Sequence, residues 1–131
     1  MTSVNAQIGS ENYKTILSSG SNTLIADEPL DKGGGNLGFS PFALLASSLA
    51  SCTAITLRMY TERKGWDVGK IDVSVSIEQD EEKTAHFTRT VSLERTPSEV
   101  DTQRIVAIAN ACPTHKLLSG NIEIHTDLSD K

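Results

Sequence analysis

The sequence predicts an α+β fold with short meander strands first, two helices that carry the cysteines, a hairpin between them and a closing strand. Three observations lead there. Residues 1–30 alternate loosely and are broken by the turn clusters "GSEN" and "SSGSN". Between Pro41 and Gly65 there is neither glycine nor proline. Two alternating segments then precede a second apolar helix face that ends at Cys112-Pro113.

Taken in order, 3–9, 12–18 and 22–27 read as strands. Ser40 followed by Pro41 is an N-cap with proline at the first helical position, so a helix of about 24 residues, roughly 36 Å long, runs to Lys64. Phe42, Leu45, Leu49, Cys52, Thr56 and Met59 recur at spacings of 3 and 4 and form the expected buried seam. Arg63 and Lys64 fall in the last turn, where the helix dipole favours cations. "KIDVSVSIEQ" and "HFTRTVSLER", linked by the polar "DEEKTA", form a hairpin. Thr96, Pro97 and Glu99 spell a capping box that starts the second helix. Ile105, Ile108, Ala109 and Cys112 share one of its faces. Pro113 breaks that helix and opens another, with Cys112 as cap and Gly120 as stop. "NIEIHTDL" reads as the closing strand.

The glycine cluster Gly33, Gly35, Gly38 fits G-x-G-x-x-G, but two features turn it away from nucleotide binding. Phe39 stands where a phosphate loop needs lysine, and the polar "DEPLDKG" separates the cluster from the strand "TLIA". We read it as a connecting loop.

With 131 residues, 37% of them apolar and 5% aromatic, the chain is expected to form one domain over 1–131 with a modest core, for which a second copy would bury more surface. A net charge of −5 without a basic cluster argues against a nucleic-acid partner. The stretch 41–57 is rich in serine and threonine and is not read as a membrane span. The expected location is the cytosol, where two cysteines 60 positions apart are more often reduced thiols than a structural disulfide.

Cys52 and Cys112 lie on apolar helix faces that would meet on packing. A thiolate attacks a peroxide O–O bond, and a second thiol condenses with the resulting sulfenic acid to a disulfide. For this the first thiol needs help to ionise. The exposed amides of the helix start, and His115 one turn on, offer it to Cys112. Cys52, in mid-helix, is expected to be held protonated by burial unless a cation reaches it. Two other readings stay open on the residues alone. Cysteine is often simply buried, and Cys112 with His115 would serve a metal if His86 or His125 converged on them. No G-x-S-x-G elbow suggests a serine hydrolase.

"SPFALLASSLASCTAITLRMYTERKGW" and "ACPTHKLLSGNIEIHTDL" resemble the two signature segments of the OsmC/Ohr family of osmotically inducible and organic hydroperoxide resistance proteins, in its OsmC-like branch. The resemblance implies an intertwined homodimer with central helices, outer sheets and two sites at the subunit interface. It also implies a thiol-dependent peroxidase acting on organic hydroperoxides, with Cys52 reactive, Cys112 resolving and a dithiol such as a dihydrolipoyl group as reductant. It implies no metal or organic cofactor. The family's peroxidases keep a glutamate just after the helix-opening proline, where it holds an N-terminal arginine over the thiolate. Here those places are Phe42 and Ala43, and residues 1–57 contain no arginine. Lys32, Arg89, Arg95 and Arg104 are the substitutes to consider. Arg58 is six residues along the same helix, about 9 Å away and some 120° around from Cys52. The alternative function is an OsmC-like protein without peroxidase activity, which binds a small ligand or senses redox state in the same pocket.

Overall fold

The computed structural model describes residues 1–129, and its contacts gather into two compact units: Met1–Ser47 with Ile77–Phe87, and Ser48–Ser76 with the chain from Thr88 on. In the first unit, β1 (Asn5–Ile8), β2 (Thr15–Ser19) and β3 (Asn22–Ala26) form an antiparallel meander close to the expected bounds. Ser19 faces Asn22 across a two-residue turn. Gly20 there has a φ of 59°, the left-handed value that such tight hairpin turns demand.

After β3 the chain winds around Asp27, a carboxylate only 2% exposed. It accepts the amides of Glu28 at 2.8 Å and of Tyr13 and Leu37 at 3.1 Å, with Gly35 adding a fourth. Burial alone would push this carboxyl up, but the four amides outweigh it and hold Asp27 below the usual carboxylate range. The glycines let the loop close this tightly. A Cβ on Gly34 would lie 2.1 Å from the Glu28 carbonyl oxygen, and one on Gly38 would lie 1.9 Å from that of Ile25. The cluster that imitates a phosphate loop therefore wraps an anion of the chain's own.

Helix α1 spans Pro41–Lys64. The Ser40 hydroxyl accepts the Ala43 amide at 3.2 Å, as expected of its cap. At the other end, Gly65 has a φ of 71°, and the amides of Gly65 and Trp66 close back on the carbonyls of Glu62 and Thr61. The expected seam needs correction. Leu49, Thr53, Leu57, Tyr60 and Thr61 are buried, whereas Phe42 is 68% and Met59 64% exposed. The buried stripe lies one residue around the helix because two threonines belong to it. The hydroxyls of Thr53 and Thr61 return to the carbonyls of Leu49 at 2.7 Å and Arg58 at 3.2 Å, which removes the cost of burying them. By length and composition α1 would also suffice to cross a bilayer, yet Thr53, Leu57 and Thr61 are wholly covered by protein.

β4 (Ile71–Gln79) and β5 (Ala85–Leu93) make a two-stranded sheet. Its turn is built on Asp80, which takes the amides of Glu82 and Thr84 and pairs with His86 at 2.8 Å. In the second unit Leu57, Val68, Val100, Ile105 and Ala109 form the core, with Trp66 and Val91 packed against it. Arg58 donates to the Gly69 carbonyl.

Helix α2 covers Thr102–Asn110 and starts later than the Thr96–Glu99 capping box implies. Asp101 caps it, accepting the Gln103 and Arg104 amides at 3.1 and 3.2 Å, while Pro97 sits in a turn closed by the Val100 amide. A carboxylate taking two terminal amides outcompetes a threonine hydroxyl at a helix N-terminus. Asp101→Ala should therefore cost about 1 kcal/mol and Thr96→Ala a few tenths in urea unfolding. Equal losses would restore the earlier start.

Helix α3, Pro113–Ser119, follows as expected, with Cys112 as N-cap and Gly120 as C-cap. The closing strand does not form. Residues 121–129 carry no regular structure, and Ile122, Ile124 and Leu128 are 58%, 86% and 98% exposed. A strand satisfies its backbone only when it is paired, and among the described residues neither sheet takes up residues 121–129.

Candidate functional site

The site is assembled within the second unit from three elements. α1 carries Cys52, Thr53 and Thr56; β5 carries Arg89; and the junction of α2 and α3 carries Asn110, Cys112, Thr114 and His115. The two cysteines, 60 positions apart, are brought together: both are free thiols, and Cys112 hydrogen-bonds Cys52. Cys112 is wholly buried and Cys52 half-buried.

Partial burial pushes the Cys52 thiol up. The hydroxyl and amide of Thr114, the Cys112 thiol and the Thr56 hydroxyl overcome that push, so Cys52 ionises below the ordinary cysteine value. This corrects the expectation that burial would keep Cys52 protonated unless a cation came near. Its stabilising partners are neutral donors, and they come mostly from the start of α3. Sequence reading gave those amides to Cys112 alone. Thr114→Val should move the midpoint of Cys52 alkylation to higher pH and slow alkylation at neutral pH, the amide preserving part of the effect. An unmoved midpoint would remove Thr114 from the site.

Among the candidate cations, Arg89 is the one at the cysteine pair, and it lies on the Cys112 side. Its Nη1 donates to Thr53 Oγ1 at 3.1 Å and approaches Cys112 Sγ at 4.0 Å. Its Nη2 donates to Asn110 Oδ1 at 2.7 Å and meets His115 Nδ1 at 3.0 Å. Guanidinium has only donors, so His115 Nδ1 accepts and its proton sits on Nε2. The signal for Arg89 was present in the alternation of β5, where Phe87, Arg89, Val91 and Leu93 share the covered face. An arginine in an apolar register calls for a purpose.

Cys112 Sγ also accepts the His115 amide at 3.4 Å and lies 3.7 Å from Thr53 Oγ1. His115 Nδ1 is thus engaged with Arg89. Among the described residues no three His, Cys, Asp or Glu side chains gather as a metal ion would require. His86 pairs with Asp80 at the exposed hairpin turn. Of the other candidate cations, Arg95 pairs with Asp67 at 2.6 Å, Arg104 is exposed on α2, and Lys32 belongs to the first unit.

The sequence profile of the OsmC-like protein family matches residues 33–127. The chain belongs to that family. Solved structures agree with this OsmC-like assignment over most of the chain. A protein of Psychrobacter arcticus 273-4, proposed to be an osmotic stress induced and detoxification response protein, is 21% identical with a TM-score of 0.75, over 89% of this chain and 88% of that one. A Vibrio cholerae protein proposed to confer organic hydroperoxide resistance, solved with captopril in one of its active sites, is 19% identical with a TM-score of 0.66, over 94% and 87%. The organic hydroperoxide resistance protein OhrB of Bacillus subtilis is 22% identical with a TM-score of 0.57, over 92% of each. At these identities the likeness is one of fold. None of the curated proteins matches the sequence. The OsmC-like chain has the α+β architecture that its residues suggest, with antiparallel strands and cysteine-bearing helices.

Proposed function

We propose that this OsmC-like protein reduces organic hydroperoxides with Cys52 as the reactive thiol and Cys112 as the resolving thiol. The observation that carries this reading is the contact between a half-buried cysteine, ionised more readily than usual, and a second, buried cysteine. The Cys52 thiolate attacks the peroxide, the O–O bond breaks, and the alcohol leaves with a proton. Cys52 keeps the other oxygen as a sulfenic acid. The Cys112 thiol then displaces it as water and closes a disulfide, and a dithiol returns two electrons and two protons. Hydroperoxide resistance among proteins of the same fold supports the substrate class.

The test is continuous consumption of cumene hydroperoxide with dihydrolipoamide as reductant. Many turnovers per chain support the proposal, and a single equivalent sinks it. The second reading, a small-ligand binder or redox sensor, is favoured by two observations: the partners of Cys52 among the described residues, Thr114, Cys112 and Thr56, are neutral, and a protein of this fold holds captopril, itself a small thiol, in an active site. We also propose a homodimer. Ile55 and Met59 on α1, and Ile122, Ile124 and Leu128 beyond α3, are exposed apolar residues that a second copy would cover. Sedimentation should give twice the 14.1 kDa chain mass.

A further inference from the structure

Arg89 combines three features that the oxidative half of the cycle does not use. First, it is a partly buried cation whose hydrogen-bond partners, Thr53, Asn110 and His115, are all neutral. The ion pairs among the described residues involve His86 and Arg95, not Arg89. A cation withdrawn from water without an anion is costly, so the arrangement suits an anion that is present for only part of a cycle. Second, its Nη1 points at Cys112 Sγ, 4.0 Å away, whereas the groups bonded to Cys52 come from Thr114, Thr56 and Cys112. Third, access is unequal: Cys112 is 0% exposed and Cys52 is half-buried.

From these we infer that Arg89 directs the reduction of the Cys52–Cys112 disulfide, so that the incoming thiolate attacks Cys52 and Cys112 leaves as a thiolate held by the guanidinium. The inference rests on the disulfide proposed above. In thiol–disulfide exchange, rate and direction depend on which sulfur is reached and on how well the departing sulfur carries negative charge. The reductant's sulfur bonds to Cys52 Sγ as the Cys52–Cys112 bond breaks, and the electron pair of that bond goes to Cys112 Sγ. There it meets the Arg89 guanidinium and the His115 amide, 3.4 Å away. The second thiol of the dithiol then attacks the mixed disulfide. It releases Cys52, and the dithiol leaves as a cyclic disulfide, its two protons restoring the thiols. Asn110 and His115 act as positioning residues here. Each accepts from Nη2, which fixes the plane of the fork and leaves Nη1 aimed at Thr53 and Cys112.

The experiment reads the site of attack directly. The full chain is oxidised with diamide, which needs no peroxidase activity. It is mixed briefly with excess 2-mercaptoethanol, quenched in acid with N-ethylmaleimide, and mapped by peptide mass spectrometry. The expected result is mercaptoethanol on Cys52 and maleimide on Cys112 in at least about ten chains of eleven, a tenfold preference that corresponds to about 1.4 kcal/mol. Arg89→Ala should slow this exchange at least about tenfold and spread the adduct over both cysteines, and Arg89→Lys, which keeps the charge, should recover part of both. A merely structural Arg89 would not move the adduct between sulfurs. Mercaptoethanol on Cys112 in the wild type overturns the inference even if Arg89→Ala does not fold. Unchanged rate and site in a folded Arg89→Ala protein overturn it as well. If diamide yields no intramolecular disulfide, the two-cysteine cycle and this inference fall together. If the disulfide forms and opens at Cys52 but hydroperoxide is not consumed, the inference stands and the peroxidase reading alone fails.

Discussion

Cys52→Ser should lower dithiol-dependent hydroperoxide consumption by at least about a thousandfold, the scale on which enzymes lose activity with their nucleophile. Serine's hydroxyl stays protonated at neutral pH and cannot form a sulfenic acid. Cys112→Ser should behave differently. Serine is itself a favoured N-cap, so the start of α3 and the Thr114 contacts to Cys52 are expected to survive. One equivalent of hydroperoxide should then be reduced rapidly, leaving a persistent sulfenic acid that a cyclic 1,3-diketone traps once per chain. Stopped-flow measurement of the first turnover, followed by mass analysis, checks both variants. Rapid first turnover in Cys52→Ser, with the adduct on Cys112, would reverse the two roles.

Asp27→Ala should cause the largest loss of stability of any single polar replacement in the first unit, a fall in Tm of about 10 °C or more. Four amides that converge on one buried carboxylate would lose their acceptor together, in a loop whose Gly34 and Gly38 already approach neighbouring backbone too closely for a Cβ. The pH dependence has a definite sign. Asp27 is held below 3.8 in the fold, so its contribution is fully present above the unfolded carboxylate value of about 3.9 and is lost as pH falls through the lower folded value. Asp27→Asn keeps the size of the side chain but cannot titrate. The Tm gap between wild type and Asp27→Asn should be widest near neutrality and shrink as pH drops below about 4. A gap independent of pH down to 2 would show that the carboxylate charge contributes nothing there.

Several elements were legible because their signals are local. The run from Pro41 to Lys64 lacks helix breakers and carries a serine cap, and Cys112-Pro113 with Gly120 writes out the bounds of α3. The β4–β5 alternation marked a hairpin and left Arg89 as one of several candidate cations, and the structure places it on the covered face. Other readings failed where two local rules competed. At the start of α2 a capping box lost to Asp101, and on α1 the apolar seam lost to a stripe containing Thr53 and Thr61. In each case the winning residue is polar and is satisfied by backbone groups, which hydrophobic periodicity does not register.

The sequence by itself determined the secondary-structure order through α3, the family to which the two cysteine segments belong, and the fact that its residues 1–57 contain no arginine. Tertiary structure decided which partners each sulfur has. Cys52 and Cys112 are 60 positions apart, and nothing in their flanking residues shows that Thr114 serves Cys52 or that Arg89, from a strand between them, serves Cys112. It also decided that the glycine cluster encloses Asp27 and that, among the described residues, 121–129 are not paired as a strand. The physical reason is the same in each case. Helix and turn propensities are fixed within a few neighbouring residues, whereas the ionisation of a thiol and the pairing of a strand depend on groups that only packing brings within hydrogen-bonding distance.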